Sequence, residues 1–101
     1  MSVYDEPTFT RGDVAKILNV TPLTIANRED SSKYPRPTRD VNNYRIYTIN
    51  DVLNLQLISY GTINPAPIIS ILYDKGYKDT KKLSQIMDSA LSRRQGTHIA
   101  S

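Results

Sequence analysis

Val20-Thr21-Pro22-Leu23-Thr24-Ile25-Ala26-Asn27-Arg28-Glu29 is the stretch whose reading decides the fold. Thr21 is a strong helix N-cap, because its hydroxyl accepts from the free N–H groups of a first turn. Pro22 follows at the first helical position, where its missing N–H costs nothing and its fixed φ suits the helix. Together they predict a helix from Pro22 to about Asp30. Upstream, Thr10 is a second N-cap, and Asp13 in the following turn favours the helix dipole. Val14, Ile17 and Leu18 then fall on one face of a helix that Asn19 ends. Thr8-Phe9-Thr10 reads as a short strand or a turn leading into it. So short a connection between two short helices is the helix-turn-helix signature.

Working outward to the C-terminal side, residues 31–43 are rich in Ser, Pro, Asn and Arg, and Pro35 and Pro37 exclude a helix there. Tyr44-Arg45-Ile46-Tyr47-Thr48 is aromatic and β-branched. With Arg36 to Val41 before it and Asn42-Asn43 as the turn, it predicts a hairpin, or wing. Alternation puts Arg45 and Tyr47 on one face of that strand and Tyr44 and Ile46 on the other, and the expected phase has Ile46 inward and Arg45 outward. Asn50 or Thr48 caps a third helix from Asp51, with Val52, Leu53, Leu55, Leu57 and Ile58 for burial and Gly61 as its stop. Pro65 or Pro67 opens a fourth helix, ended at Gly76. A fifth runs from about Asp79 to Arg94 with a stripe of Leu83, Ile86, Met87, Ala90 and Leu91. The expected fold class is mainly α with a small β-hairpin wing: a winged helix-turn-helix followed by two to three further helices. Residues 1–7 read as a loose leader, 8–75 as the winged helix-turn-helix domain, 76–94 as an amphipathic C-terminal helix and 95–101 as a disordered tail.

Composition narrows the function classes. At 101 residues the chain suffices for one compact domain, and its 39% hydrophobic and 23% charged residues are ordinary for a globular one. Without cysteine there is no disulfide, thiolate metal site or cysteine nucleophile. His98 is the only histidine and lies in the polar tail, which argues against a histidine metal cluster or a Ser-His-Asp triad. No paired carboxylates share a face and no glycine-rich phosphate loop is present, so the expectation is a non-enzyme with no catalytic residue, metal or cofactor. No apolar stretch approaches the roughly 20 residues that span a bilayer. The opening MSVYDEPT is polar, unlike a signal peptide, so a bacterial or phage-infected host cytoplasm, at the nucleoid, is expected. The net charge of +3 points only weakly to a polyanion, but its distribution says more. Arg28, Lys33, Arg36, Arg39 and Arg45 form a moderately basic stripe, accompanied by Glu29, Asp30 and Asp40.

These fragments carry a family likeness. Phe9-Thr10-Arg11-Gly12-Asp13-Val14-Ala15-Lys16 resembles the opening of MerR-like and excisionase-like DNA-binding domains, and residues 20–29 resemble their second helix. Tyr34-Pro35-Arg36-Pro37 is similar to the lead-in to the family's wing. Tyr44-Arg45-Ile46-Tyr47 followed by Asn50-Asp51-Val52 resembles its wing-to-third-helix segment. The likeness covers roughly residues 8–75. Ala26 and Arg28 stand where the family usually has an arginine and an aromatic, and Ser31-Ser32 replace its usual glycine. The long dimerising coiled coil and any effector domain are missing, so no small-molecule effector is implied. The resemblance is to the minimal versions carried by phages and other mobile elements.

The resemblance implies that the second helix enters the major groove of double-stranded DNA. Thr21, Leu23, Thr24, Asn27 and Arg28 would then form the recognition surface. Asn27 suits adenine and Arg28 guanine, each in two-point contacts. Against that, Asn27 can be a solvated polar residue and Arg28 the partner of an acid such as Asp30. Arg36, Arg39 and Arg45 would hold phosphates or enter the minor groove, with Lys16, Lys33, Asn43 and Tyr44 as further contacts. The last helix either closes the core or pairs with a second subunit through Leu83, Ile86, Met87, Ala90 and Leu91. A homodimer or a cooperative array on DNA is expected, because one helix and one wing bury little area. The function expected is a small transcriptional repressor of a phage or mobile element. The alternatives are an architectural, recombination, partition or packaging protein that bends or coats DNA, and a protein-interaction module reusing the fold.

Overall fold

The structure is a computed structural model that describes the backbone of residues 7–39 and 45–100, and the side chains of 7–37 and 45–92. The chain runs β1 (Thr8–Phe9), α1 (Arg11–Leu18), α2 (Pro22–Asp30), β2 (Thr38–Arg39), β3 (Arg45–Thr48), α3 (Ile49–Tyr60), α4 (Pro65–Asp74) and α5 (Thr80–Ala100). It is a mainly α-helical domain with a small antiparallel β-hairpin, as the patterning predicts. Three helices follow the hairpin.

Local chemistry explains the boundaries. Thr10 Oγ1 accepts from Asp13 N at 3.1 Å while Asp13 Oδ2 accepts from Thr10 N at 3.0 Å, closing a capping box at the start of α1. Thr48 and Asp51 repeat that box at the start of α3, with bonds of 3.1 and 3.0 Å. The third helix therefore begins at Ile49, two residues before the boundary that the sequence suggests, and its cap is Thr48 and not Asn50. Asn19 ends α1 in the left-handed region at φ 59°, which asparagine tolerates better than most residues. Gly61 ends α3 at φ 74°. Ser32, just after α2, takes a positive φ of 65°. Asp79 Oδ1 accepts from Lys82 N at the start of α5. That helix continues to Ala100, so the segment expected to be a disordered tail from Gln95 is helical as far as Ala100.

The strands form one sheet in the order β1-β3-β2, antiparallel throughout. Phe9 pairs with Tyr47, and Thr38 with Ile46. The core gathers Phe9, Val14, Leu18, Ile25, Tyr47, Val52, Leu53, Ile68, Leu72 and Leu83, all with 1% or less of their surface exposed. Each such side chain contributes about 1.5–3 kcal/mol relative to exposure. Tyr47, not Ile46, is the inward residue of β3, whereas Ile46 is only half-buried. The phase of the strand is thus the opposite of the expected one, because Tyr47 lies opposite the buried Phe9 and finds a buried acceptor for its hydroxyl. Arg45 is exposed as expected.

The stripe expected to close the core or to pair two subunits is used within the chain. Leu83, Met87 and Ala90 are buried in the core, and Ile86 and Leu91 pack against it half-buried. Of the two readings of the last helix, core closure is the one the packing supports. Buried Gln56 binds the loop between α3 and α4, donating to Asn64 O at 2.8 Å and accepting from Asn64 N at 3.1 Å. Lys75 bridges α4 to α1 by an ion pair to Asp13 at 2.7 Å. Burial raises the Asp13 pKa, but Lys75 and the Thr10 backbone outweigh it and hold the carboxyl below its usual range.

Candidate nucleic-acid interface

Helix α2 is anchored on one side and open on the other. Ile25 is fully buried, and one turn later Glu29 is also buried, with only 4% of its surface exposed. A buried carboxylate is costly unless it is paired and hydrogen-bonded. Here Glu29 Oε1 accepts from Arg11 Nη2 at 2.8 Å, and Oε2 accepts from the Tyr47 hydroxyl at 2.5 Å. One side chain of α2 thus holds the start of α1 and the inner strand of the hairpin. Burial lowers the Arg11 pKa, but hydrogen bonding with Tyr47 and the charge of Glu29 reverse that and leave it raised.

Burial, with the hydrogen bond to Glu29, pushes the Tyr47 phenol up to about 12 against the opposing influence of Arg11. A raised phenol pKa means that the folded state favours the neutral hydroxyl. The resulting stability is fully present below pH 10, the ordinary value, and is lost as pH rises towards about 12. Urea midpoints measured from pH 9 to 12 should therefore fall more steeply in the native protein than in Tyr47→Phe. Equal slopes would remove Tyr47 as the cause.

The second anchor lies at the end of the helix. Arg28 Nη1 donates to the Tyr34 hydroxyl at 2.6 Å, and that hydroxyl shares a hydrogen bond with Ser59 Oγ on α3. The Arg28 guanidinium also lies 5.4 Å from the centre of the Tyr34 ring. Its backbone carbonyl accepts from both Lys33 N and Tyr34 N. Arg28 is half-buried and committed to Tyr34, and among the described residues no ion pair joins it to Asp30.

The open side of α2 carries Leu23 and Asn27. Leu23 is 68% exposed, and Asn27, one turn on, is exposed with no side-chain hydrogen bond among the described residues. Thr21 caps the helix by accepting from Thr24 N at 3.1 Å, and the two hydroxyls bond to each other at 2.9 Å. Lys16 on α1, Lys33 and Arg36 in the α2–β2 connection, and Arg45 on β3 are exposed. None of these four makes an ion pair among the described residues. Asn43, Tyr44 and the side chain of Arg39 lie outside the described residues.

Sequence reasoning misses Arg11 and Glu29 as the pair that orients α2. The available signal is Glu29 at i+4 from Ile25, an acid on the face meant for the core. Among the described residues there is no cluster of three or more His, Asp or Glu able to hold a metal ion, and no helix long and apolar enough to cross a membrane. No protein-family model matches the chain, and neither a curated protein nor a solved structure matches it significantly.

Proposed function

We propose that the protein binds double-stranded DNA sequence-specifically, as a small MerR-like regulator of a phage or mobile element, most simply a repressor. Helix α2 enters the major groove, and the hairpin and its lead-in rest on the adjacent backbone. The observation that carries this reading is the two-sided character of α2. Ile25, Glu29 and Arg28 tie it into the domain, while Leu23 and Asn27 face solvent, without side-chain partners among the described residues. The cations Lys16, Lys33, Arg36 and Arg45, exposed and outside any ion pair among the described residues, supply the phosphate contacts such docking needs. Arg28 positions the end of the helix through Tyr34. Two copies on a two-fold or repeated site would supply the specificity that one short helix lacks.

The test is selection of bound sequences from a randomised duplex pool at moderate salt, followed by affinity against salt concentration. The native protein should enrich one motif. The double variant Arg36→Ala/Arg45→Ala should bind every sequence more weakly, and its salt slope should shrink by about 0.9 for each phosphate it no longer neutralises. A single bounded footprint marks a regulator, whereas a footprint that grows with protein concentration marks an architectural protein. Failure to enrich any sequence rejects sequence-specific binding.

A further inference from the structure

We propose that α2 reads A·T base pairs, with Asn27 on the major-groove edge of adenine and Leu23 against the methyl group of a nearby thymine. This rests on the DNA-binding reading above and specifies which bases that surface takes. What each side chain of α2 has left to offer decides the matter. Guanine is read chiefly by the fork of an arginine or by a lysine. Arg28 is the only basic residue between Pro22 and Asp30, and its guanidinium is held by Tyr34, which is held in turn by Ser59. The Thr24 hydroxyl is engaged with Thr21.

Beside exposed Pro22 and half-buried Ala26, the first two turns keep two larger uncommitted groups: a carboxamide and an isobutyl side chain. A carboxamide matches adenine, donating to N7 and accepting from the N6 amino group in a two-point contact. An apolar side chain matches the thymine methyl, a group that cytosine and guanine lack. Leu23 and Asn27 stand four residues apart, so they share a face about one turn, roughly 5.4 Å, from each other along the axis. Base pairs succeed one another every 3.4 Å or so. Both side chains therefore reach the same pair or neighbouring pairs. Asp30, which would suit cytosine, lies in the last turn, away from the N-terminal residues that meet base edges in this docking mode.

The experiment uses the full chain and a duplex selected from a randomised pool, with deoxyuridine replacing each thymine in turn. Uracil differs from thymine only by the missing methyl. At one position that replacement should weaken the native protein by about 4-fold, the effect of one buried methyl-sized group. It should leave Leu23→Ala unaffected. Asn27→Ala should lose roughly 5- to 150-fold in affinity for the selected duplex and relax its preference at A·T pairs. Both variants should melt like the native protein, because neither side chain is buried. The proposal is overturned if Asn27→Ala relaxes the preference at G·C pairs, or if no uracil substitution has an effect, although specific DNA binding would then still stand. If no duplex is enriched, the DNA-binding reading fails and this proposal fails with it.

Discussion

Replacing Glu29 by alanine should lower the free energy of unfolding by about 3 kcal/mol, among the largest losses for any polar residue of this domain. Removing one partner of a buried ion pair typically costs about 3–5 kcal/mol, because the other is left uncompensated. Arg11 keeps 24% of its side-chain surface exposed, so water can recover part of its loss, and the lower end of that range applies. The Tyr47 hydroxyl has no such recourse, since Tyr47 is 1% exposed. A buried hydroxyl left without an acceptor costs about 1–3 kcal/mol, and that loss is part of the total of about 3 kcal/mol. Glu29→Gln separates charge from shape. Its carbonyl oxygen can still accept from Arg11, and its amide can donate to the Tyr47 oxygen, leaving only the phenolic proton unsatisfied. Urea unfolding should therefore rank the native protein above Glu29→Gln and Glu29→Gln well above Glu29→Ala. Equal stability of all three would show that the buried pair contributes nothing to holding α2.

Leu83→Ala should cost about 2–5 kcal/mol, the range for deleting most of a fully buried leucine and leaving a cavity. The effect has a diagnostic form. Leu83 is buried within its own chain, in the core that also holds Ile68 and Leu72 of α4, so the loss belongs to the folding of a single copy. The drop in melting temperature from native to Leu83→Ala should stay the same across a tenfold dilution. A stripe that joined two copies would instead give a drop that depends on protein concentration. The dilution series therefore checks directly which of the two roles the amphipathic helix serves.

Much of the framework is legible because it is written in local chemistry. Thr10 with Asp13, Thr21 with Pro22, and Gly61 each act within a turn of themselves, and each lies where the sequence places it. Thr48 with Asp51 acts as locally, yet the helix starts two residues earlier than Asp51, since Asn50 is an equally good cap on paper. The phase of β3 is not legible, because Ile46 and Tyr47 are both good core residues. What decides between them is the register with Phe9 and a carboxylate 18 positions away in the chain. Arg28 illustrates the same limit. Its neighbours in sequence offer Asp30 as a partner, whereas its contact is Tyr34, brought back beneath the helix by a turn through Ser32. Of the candidate site, Leu23 and Asn27 can be assigned to the open face from helical spacing alone, because exposure on a short capped helix follows from periodicity.

The division of labour along α2 has a consequence for how such a protein changes over time. Its attachment depends on positions 25, 28 and 29, and its outward chemistry on positions 23 and 27. The two sets do not overlap. Exchanging the residues at 23 and 27 therefore leaves the domain's stability nearly untouched, so that, under the DNA-binding role proposed above, new base preferences could be tried without compensating mutations in the core. The helix works like an interchangeable bit in a fixed chuck, whose gripping parts are Ile25, the Glu29 carboxylate and the Arg28–Tyr34 contact.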